Sequence, residues 1–157
     1  MAFTPQEEAL LRRTLDEGRV RAVLDRYFQC VDAGRWELLE SIFTTDATFE
    51  FTFSPTEKKT ISGGKTIAEY FKERNKIFKV KTHFVGHAYI EINGDTAQAD
   101  TYCISNVVLG ERIAVRGLRY ADTLARGDDG EWRFKRRLHR GLWQHYAAFL
   151  EPEVPKT

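Results

Sequence analysis

Val20, Val23, Leu24, Tyr27, Phe28 and Val31 recur at the three- and four-residue spacing of a single helix face. The stretch that holds them opens on Thr4-Pro5 with Glu7 and Glu8 behind it, the chemistry of a capped helix start, and closes on Gly34, a helix stop. The pattern predicts a helix from Pro5 to Gly34 with a break near Gly18. A short helix carrying Trp36, Leu38, Leu39, Ile42 and Phe43 follows. Thr48–Phe53 alternates and is rich in strand formers, so it predicts a short strand. Residues 54–64 are expected to be a polar loop, and 65–78 an amphipathic helix. Beyond Phe78 the period changes to two. Val80–Ile92, Thr96–Leu109, Arg112–Ala125 and Glu131–His145 are separated by Asn93-Gly94-Asp95, Gly110-Glu111 and Gly127–Gly130, which is hairpin chemistry. Helices first and then a four-stranded antiparallel meander define an α+β fold.

Composition narrows the function. A chain of 157 residues with 42% hydrophobic and 13% aromatic content is one domain with a substantial core, spanning residues 1–157, with the fold over about 19–146 and the tail 151–157 loose. The 24 basic and 23 acidic residues give no overall field for nucleic acid or an anionic membrane, and no apolar run is long enough to span one. No signal peptide is visible at the N-terminus. Cys30 and Cys103 match no disulfide, zinc or redox spacing, so the expectation is two reduced thiols in the cytoplasm. The sequence Ser62-Gly63-Gly64-Lys65-Thr66 lacks the leading glycine of a phosphate-binding loop. His83 and His87 would lie ~13 Å apart on a strand and cannot share a metal. No metal site and no cofactor are expected.

The general acid–base candidates are histidines and carboxylates. In the strand Val80–Ile92 the even positions are almost all apolar, whereas the odd ones mix Lys81, His83, Val85, His87, Tyr89 and Glu91. The odd face is either the solvent side or the wall of a pocket. Asp32 lies at the C-terminal end of a helix, where the helix dipole disfavours an anion. It either caps the next helix or has a proton-donating partner. The basic run Arg133–Arg140 splits its charges between two strand faces, which is poor geometry for a nucleic-acid groove.

Three stretches carry a resemblance: YFQCVDAGRWELL at 27–39, THFVGHAYIEINGDTA at 82–97 and RGLRYADTLARGDDGEWRF at 116–134. They resemble the SnoaL-like group of the nuclear-transport-factor-2-like superfamily, nearest to scytalone dehydratase, the bile acid 7-alpha-dehydratases and hexachlorocyclohexane dehydrochlorinase. The resemblance implies a cone-shaped α+β barrel whose curved, mostly antiparallel sheet and N-terminal helices enclose an apolar cavity. It implies a catalytic dyad of His83 and Asp32, with Tyr27 and Arg140 as further catalytic groups. Arg137, Cys103, Phe51 and His87 would line the pocket, and either Arg137 or Arg140 would face it. Cys103 stands where scytalone dehydratase has a second His, its Ser and Asn pair falls near Arg119 and Ala121, and Phe51 replaces its pocket Tyr. Scytalone itself is therefore not the expected substrate.

The function that follows is a cofactor-independent dehydratase-type lyase or isomerase acting on a small apolar cyclic substrate, polyketide, aromatic or steroid-like. The alternatives are a non-catalytic binding domain, or a polyketide cyclase, ketosteroid isomerase or epoxide hydrolase using another acid–base residue such as Asp122. The apolar even face of the strand Val80–Ile92 needs cover. A homo-oligomer is expected, a trimer in preference to a dimer, with a small molecule as the only other partner.

Overall fold

The computed structural model describes residues 2–52 and 58–148. Helix α1 (Pro5–Ala33) begins at a capping box in which the Glu7 amide donates to Thr4 Oγ1 and the Thr4 amide donates to Glu7 Oε2 at 2.7 Å. It ends at Gly34, whose φ of 68° is the left-handed conformation that favours glycine. The helix runs through Gly18 unbroken. One glycine costs a helix only about 1 kcal/mol, and good helix formers flank it. The predicted stripe from Val20 to Val31 is buried.

Helix α2 (Trp36–Ser41) leads into β1 (Phe43–Thr52), β2 (Lys58–Ser62), α3 (Gly64–Arg74), a 3-10 turn (Asn75–Ile77) and four long strands: β3 (Val80–Asn93), β4 (Thr96–Leu109), β5 (Arg112–Arg126) and β6 (Trp132–Ala148). The sheet order is β2-β1-β6-β5-β4-β3. The meander β3 to β6 is as expected. Strand β1 starts five residues earlier than its alternation suggests, because it lies parallel to β6 with Phe43 opposite Phe134. Strand β2 falls in the segment expected to be a loop. Its lysines fit an exposed edge, and its only buried residue is Ile61. Phe53 and the start of the expected loop lie outside the described residues.

The sheet is open, with β2 and β3 at its edges, so the expected barrel is corrected to an open six-stranded mixed sheet packed against N-terminal helices. Between α1 and the sheet, Tyr27, Phe28, Phe49, Tyr120 and Phe134 fill the interior. Buried Asp16 ties the N-terminal half of α1 to the far end of the sheet. It accepts from Arg126 Nη2 at 2.5 Å and from Trp132 Nε1 at 3.4 Å.

Register shifts in β3 and β6 decide which of their side chains face this interior. In β3 the pairing steps from Val85–Cys103 to Ala88–Thr101, so β3 carries one extra residue at Gly86-His87. In β6 it steps from Leu124–Phe134 to Thr123–Arg136, making Lys135 the extra residue. A second step, from Leu118–Gly141 to Gly117–Trp143, makes Leu142 another. Each bulge reverses the alternation beyond it.

Candidate active site

Asp32 sits in the last turn of α1. Its side chain does not cap α2, whose N-cap is Arg35 without a side-chain hydrogen bond. Instead it reaches across to the edge strand. Asp32 Oδ1 lies 2.6 Å from His83 Nδ1, and Asp32 Oδ2 accepts the His83 backbone amide at 2.9 Å. One carboxylate thus holds both the ring and the backbone of one residue. If Nδ1 carries the proton and donates it to the carboxylate, Nε2 is left as a lone-pair base; it makes no hydrogen bond among the described residues. The ring rests against Phe28, with centroids 5.4 Å apart, and the side chain is 10% exposed. The pair borders an open cleft of about 530 Å³ between α1 and β3, with Gln29, Arg35 and Val85 among its other walls.

Phe28 also packs edge-on against Tyr120, and behind these rings lies Arg137. The Arg137 guanidinium is 3.9 Å from the Tyr27 centroid, 4.3 Å from Tyr120 and 4.5 Å from Phe134. It is wholly buried, and its Nε lies 3.6 Å from Oδ1 of equally buried Asp122. All three of its nitrogens and both Asp122 oxygens lack a hydrogen-bond partner. Such a charged pair is held by field and ring contacts rather than by hydrogen bonds. Burial pushes the Asp122 carboxyl up to about 7, against the pull of Arg137.

Tyr27 is buried among Phe28, Phe43, Phe49 and Phe71, so it is both the core aromatic its stripe suggests and the nearest ring to Arg137. Burial raises its phenol above the ordinary value. Cys103 is buried and unpaired, and its thiol is pushed up to about 12 by burial. That excludes an easily formed thiolate. Phe51 packs on Phe49, Tyr70 and His139.

Two expected site residues lie elsewhere. The β3 bulge turns His87 to the outer face, where its ring is 5.7 Å from exposed Tyr102. Its placement in the pocket is thereby corrected. Arg140 is exposed, with the charge of Asp100 nearby, and the Lys135 bulge gives the interior position to Arg137 instead. The expected catalytic use of Arg140 is corrected accordingly.

Sequence reasoning missed two interior groups. Lys81 shares the inner face with His83; its ammonium is 5.6 Å from the Trp36 ring centroid, and burial lowers its pKa. Its place on the odd positions beside His83 was the available signal. His139 faces Phe51 and Tyr120, and burial, aided by Arg137, drops its imidazole to about 4. Only the bulge at Lys135 reveals its direction. Among the described residues no group of three or more His, Cys, Asp or Glu could hold a metal ion, and no helix is long and apolar enough to cross a membrane.

These features define a small α+β protein with a His–Asp pair on the seam between its first helix and an open sheet. The SnoaL-like domain model matches residues 12–138, and the chain belongs to that family. An uncharacterized protein of Mycobacterium tuberculosis is 26% identical over 136 residues, covering 82% of this chain and 87% of that one. Among solved structures, a hexachlorocyclohexane dehydrochlorinase of Novosphingobium barchaimii superposes with a TM-score of 0.77 at 16% identity, covering 92% of this chain and 99% of the other. A scytalone dehydratase-like protein of Novosphingobium aromaticivorans gives 0.73 at 17% identity over 89% and 91%. The fold is thus shared with these two proteins.

Proposed function

We propose that the protein is a cofactor-independent lyase or isomerase of the dehydratase type, with His83 as general base and Asp32 as the residue that orients it. The 2.6 Å contact between Asp32 Oδ1 and His83 Nδ1 carries this reading. His83 Nε2 takes a proton from a carbon made acidic by a neighbouring carbonyl. The electron pair forms the new double bond, and the leaving group departs from the adjacent carbon as halide, or as water when the His83 imidazolium returns its proton to the departing hydroxyl. Asp32 stabilises the imidazolium that results. Tyr27 and Arg137 supply an aromatic wall and a positive field behind the site, which favours charge developing on a substrate oxygen. Phe28 and Val85 give the cleft beside the pair an apolar wall, which suits a small cyclic, largely apolar substrate.

The test is a panel of cyclic β-hydroxy and β-halo ketones, followed by the absorbance of the enone. Turnover by the wild type that is lost in both Asp32→Asn and His83→Ala, with unchanged circular dichroism, is the expected result. A variant retaining near-wild-type turnover would sink the dyad.

A second reading draws on Asp122. A buried carboxyl held near neutrality is poised for proton transfer, as an isomerase or cyclase on this fold would need. In that case Asp122→Asn abolishes turnover while Asp32→Asn is tolerated.

We place the protein in a reducing compartment, the cytoplasm, because both described thiols are free and buried. We also propose that the outer sheet face docks against further copies of the chain, with a trimer favoured. Phe84 of β3 lies opposite Ile104 of β4, Ile104 opposite Gly117 of β5, and Gly117 opposite Trp143 of β6. Phe84, Ile104 and Trp143 are 67%, 44% and 50% exposed, which makes one apolar row across four strands.

A further inference from the structure

A second pocket, sharing no lining residue with the His83 cleft, opens where the end of β1, the end of α3, the first half of β5 and the second half of β6 converge. Its volume is about 370 Å³. Two of its walls are guanidinium groups, Arg74 and Arg116, and no acidic side chain is among its described lining residues. Among the described residues neither arginine has an ion-pair partner, whereas Arg119, Arg126, Arg133 and Arg136 are each paired with a carboxylate.

Arg116 is preset. Its Nε donates to Gln144 Oε1 at 2.6 Å, and Gln144 Nε2 donates in turn to Tyr146 Oη at 2.7 Å. That leaves the two terminal nitrogens of Arg116 without a partner among the described residues, in the fork geometry that matches a carboxylate. At the base of the pocket His139 keeps a buried Nδ1 with no hydrogen-bond partner. Its imidazole is neutral at physiological pH, so the charge in the pocket comes from the arginines alone. Leu142, the extra residue of the second β6 bulge, supplies apolar wall.

A site with two unpaired cations, a free imidazole nitrogen and apolar walls takes an amphipathic anion. We propose that this pocket binds the carboxylate of a molecule with a compact apolar ring body, Arg116 and Arg74 gripping the carboxylate while the ring lies against Leu142. A single carboxylate on an apolar body suits it better than bare phosphate, because the apolar wall at Leu142 would gain nothing from a fully hydrated ion. The proposal does not rest on the dyad and is tested by binding alone.

Calorimetric titration of the full chain with naphthalene-2-carboxylate, and separately with naphthalene-2-carboxamide, isolates the charge. The carboxylate is expected to bind at least tenfold more tightly, with a preference that shrinks as salt rises. Arg74→Gln/Arg116→Gln should abolish the preference while circular dichroism is unchanged. Arg74→Gln alone, at an exposed position, should reduce it severalfold. Equal affinity for the two compounds, a preference that survives in the double variant, or no binding of either at millimolar concentration would overturn the proposal. Displacement of the naphthoate by an equal concentration of inorganic phosphate would overturn the carboxylate assignment.

Discussion

Replacing Arg137 by Met keeps an apolar stem of similar length and removes a cation held within 5 Å of three ring centroids and 3.6 Å from Asp122. Removing one partner of a buried ion pair costs about 3–5 kcal/mol when the other is stranded as a charge. Asp122 has an escape, because it can take up a proton. In the wild type its carboxyl is already pushed up to about 7 by burial. Without the cation that pulls it down, it must rise further.

The folded state of the wild type therefore binds this proton more tightly than the unfolded chain does, and stability falls as pH climbs from about the ordinary carboxylate value of 3.8 until it levels off above about 7. In Arg137→Met the fall continues above 7, at about 1.4 kcal/mol per pH unit for one proton. The two proteins should be close in stability at pH 5 and separate by about 3 kcal/mol between pH 7 and 9. His139 does not interfere between pH 7 and 9: its imidazole is lowered from 6.5 to about 4, so its contribution grows as pH rises from about 4 and is complete above about 6.5. Urea denaturation of both proteins at pH 5, 7 and 9 measures the gap. The double variant Arg137→Met/Asp122→Asn should show a gap to the wild type that no longer changes between pH 7 and 9, where the wild-type carboxyl is already ionised. A gap in Arg137→Met that is the same at pH 7 and 9 would refute the reasoning, as would one that persists with its slope in the double variant.

Three other predictions follow from separate features. Asp32→Asn should lower turnover of a panel substrate by about 10²–10⁴-fold, the usual worth of a positioned general base, with little change in melting temperature. Gly117→Ala should destabilise the fold by about 1–3 kcal/mol, because its new Cβ would lie 2.3 Å from the Trp143 ring. Adding Trp143→Ala should restore stability, and failure to do so would show that the ring is not what the methyl meets. Phe84→Glu should shift the protein to monomer in light scattering, whereas an unchanged mass would remove the outer face from any interface.

Local sequence determined much of this protein. The α1 stripe, the capping box at Thr4, the stop at Gly34 and the four long strands with their glycine turns are all consequences of short-range chemistry, and the structure contains each of them. Asp32 at a helix end and His83 on a mixed strand face each pose only a local question about a partner, and it was the family resemblance that paired them. That these two answer each other across 51 positions is a fact of tertiary structure. So is the direction of the basic strand. Period-two alternation fixes that neighbours point to opposite faces, but a single inserted residue reverses the phase, and Lys135 and Gly86-His87 carry no local mark of doing so. The bulges put Arg137 and His139 inside and leave His87 and Arg140 outside. Strand β2 and the early start of β1 depend likewise on long-range pairing, β1 lying parallel to a strand that follows it by about ninety residues. Propensity governs which segments become helices and strands; only the packed sheet decides which of their side chains share the interior.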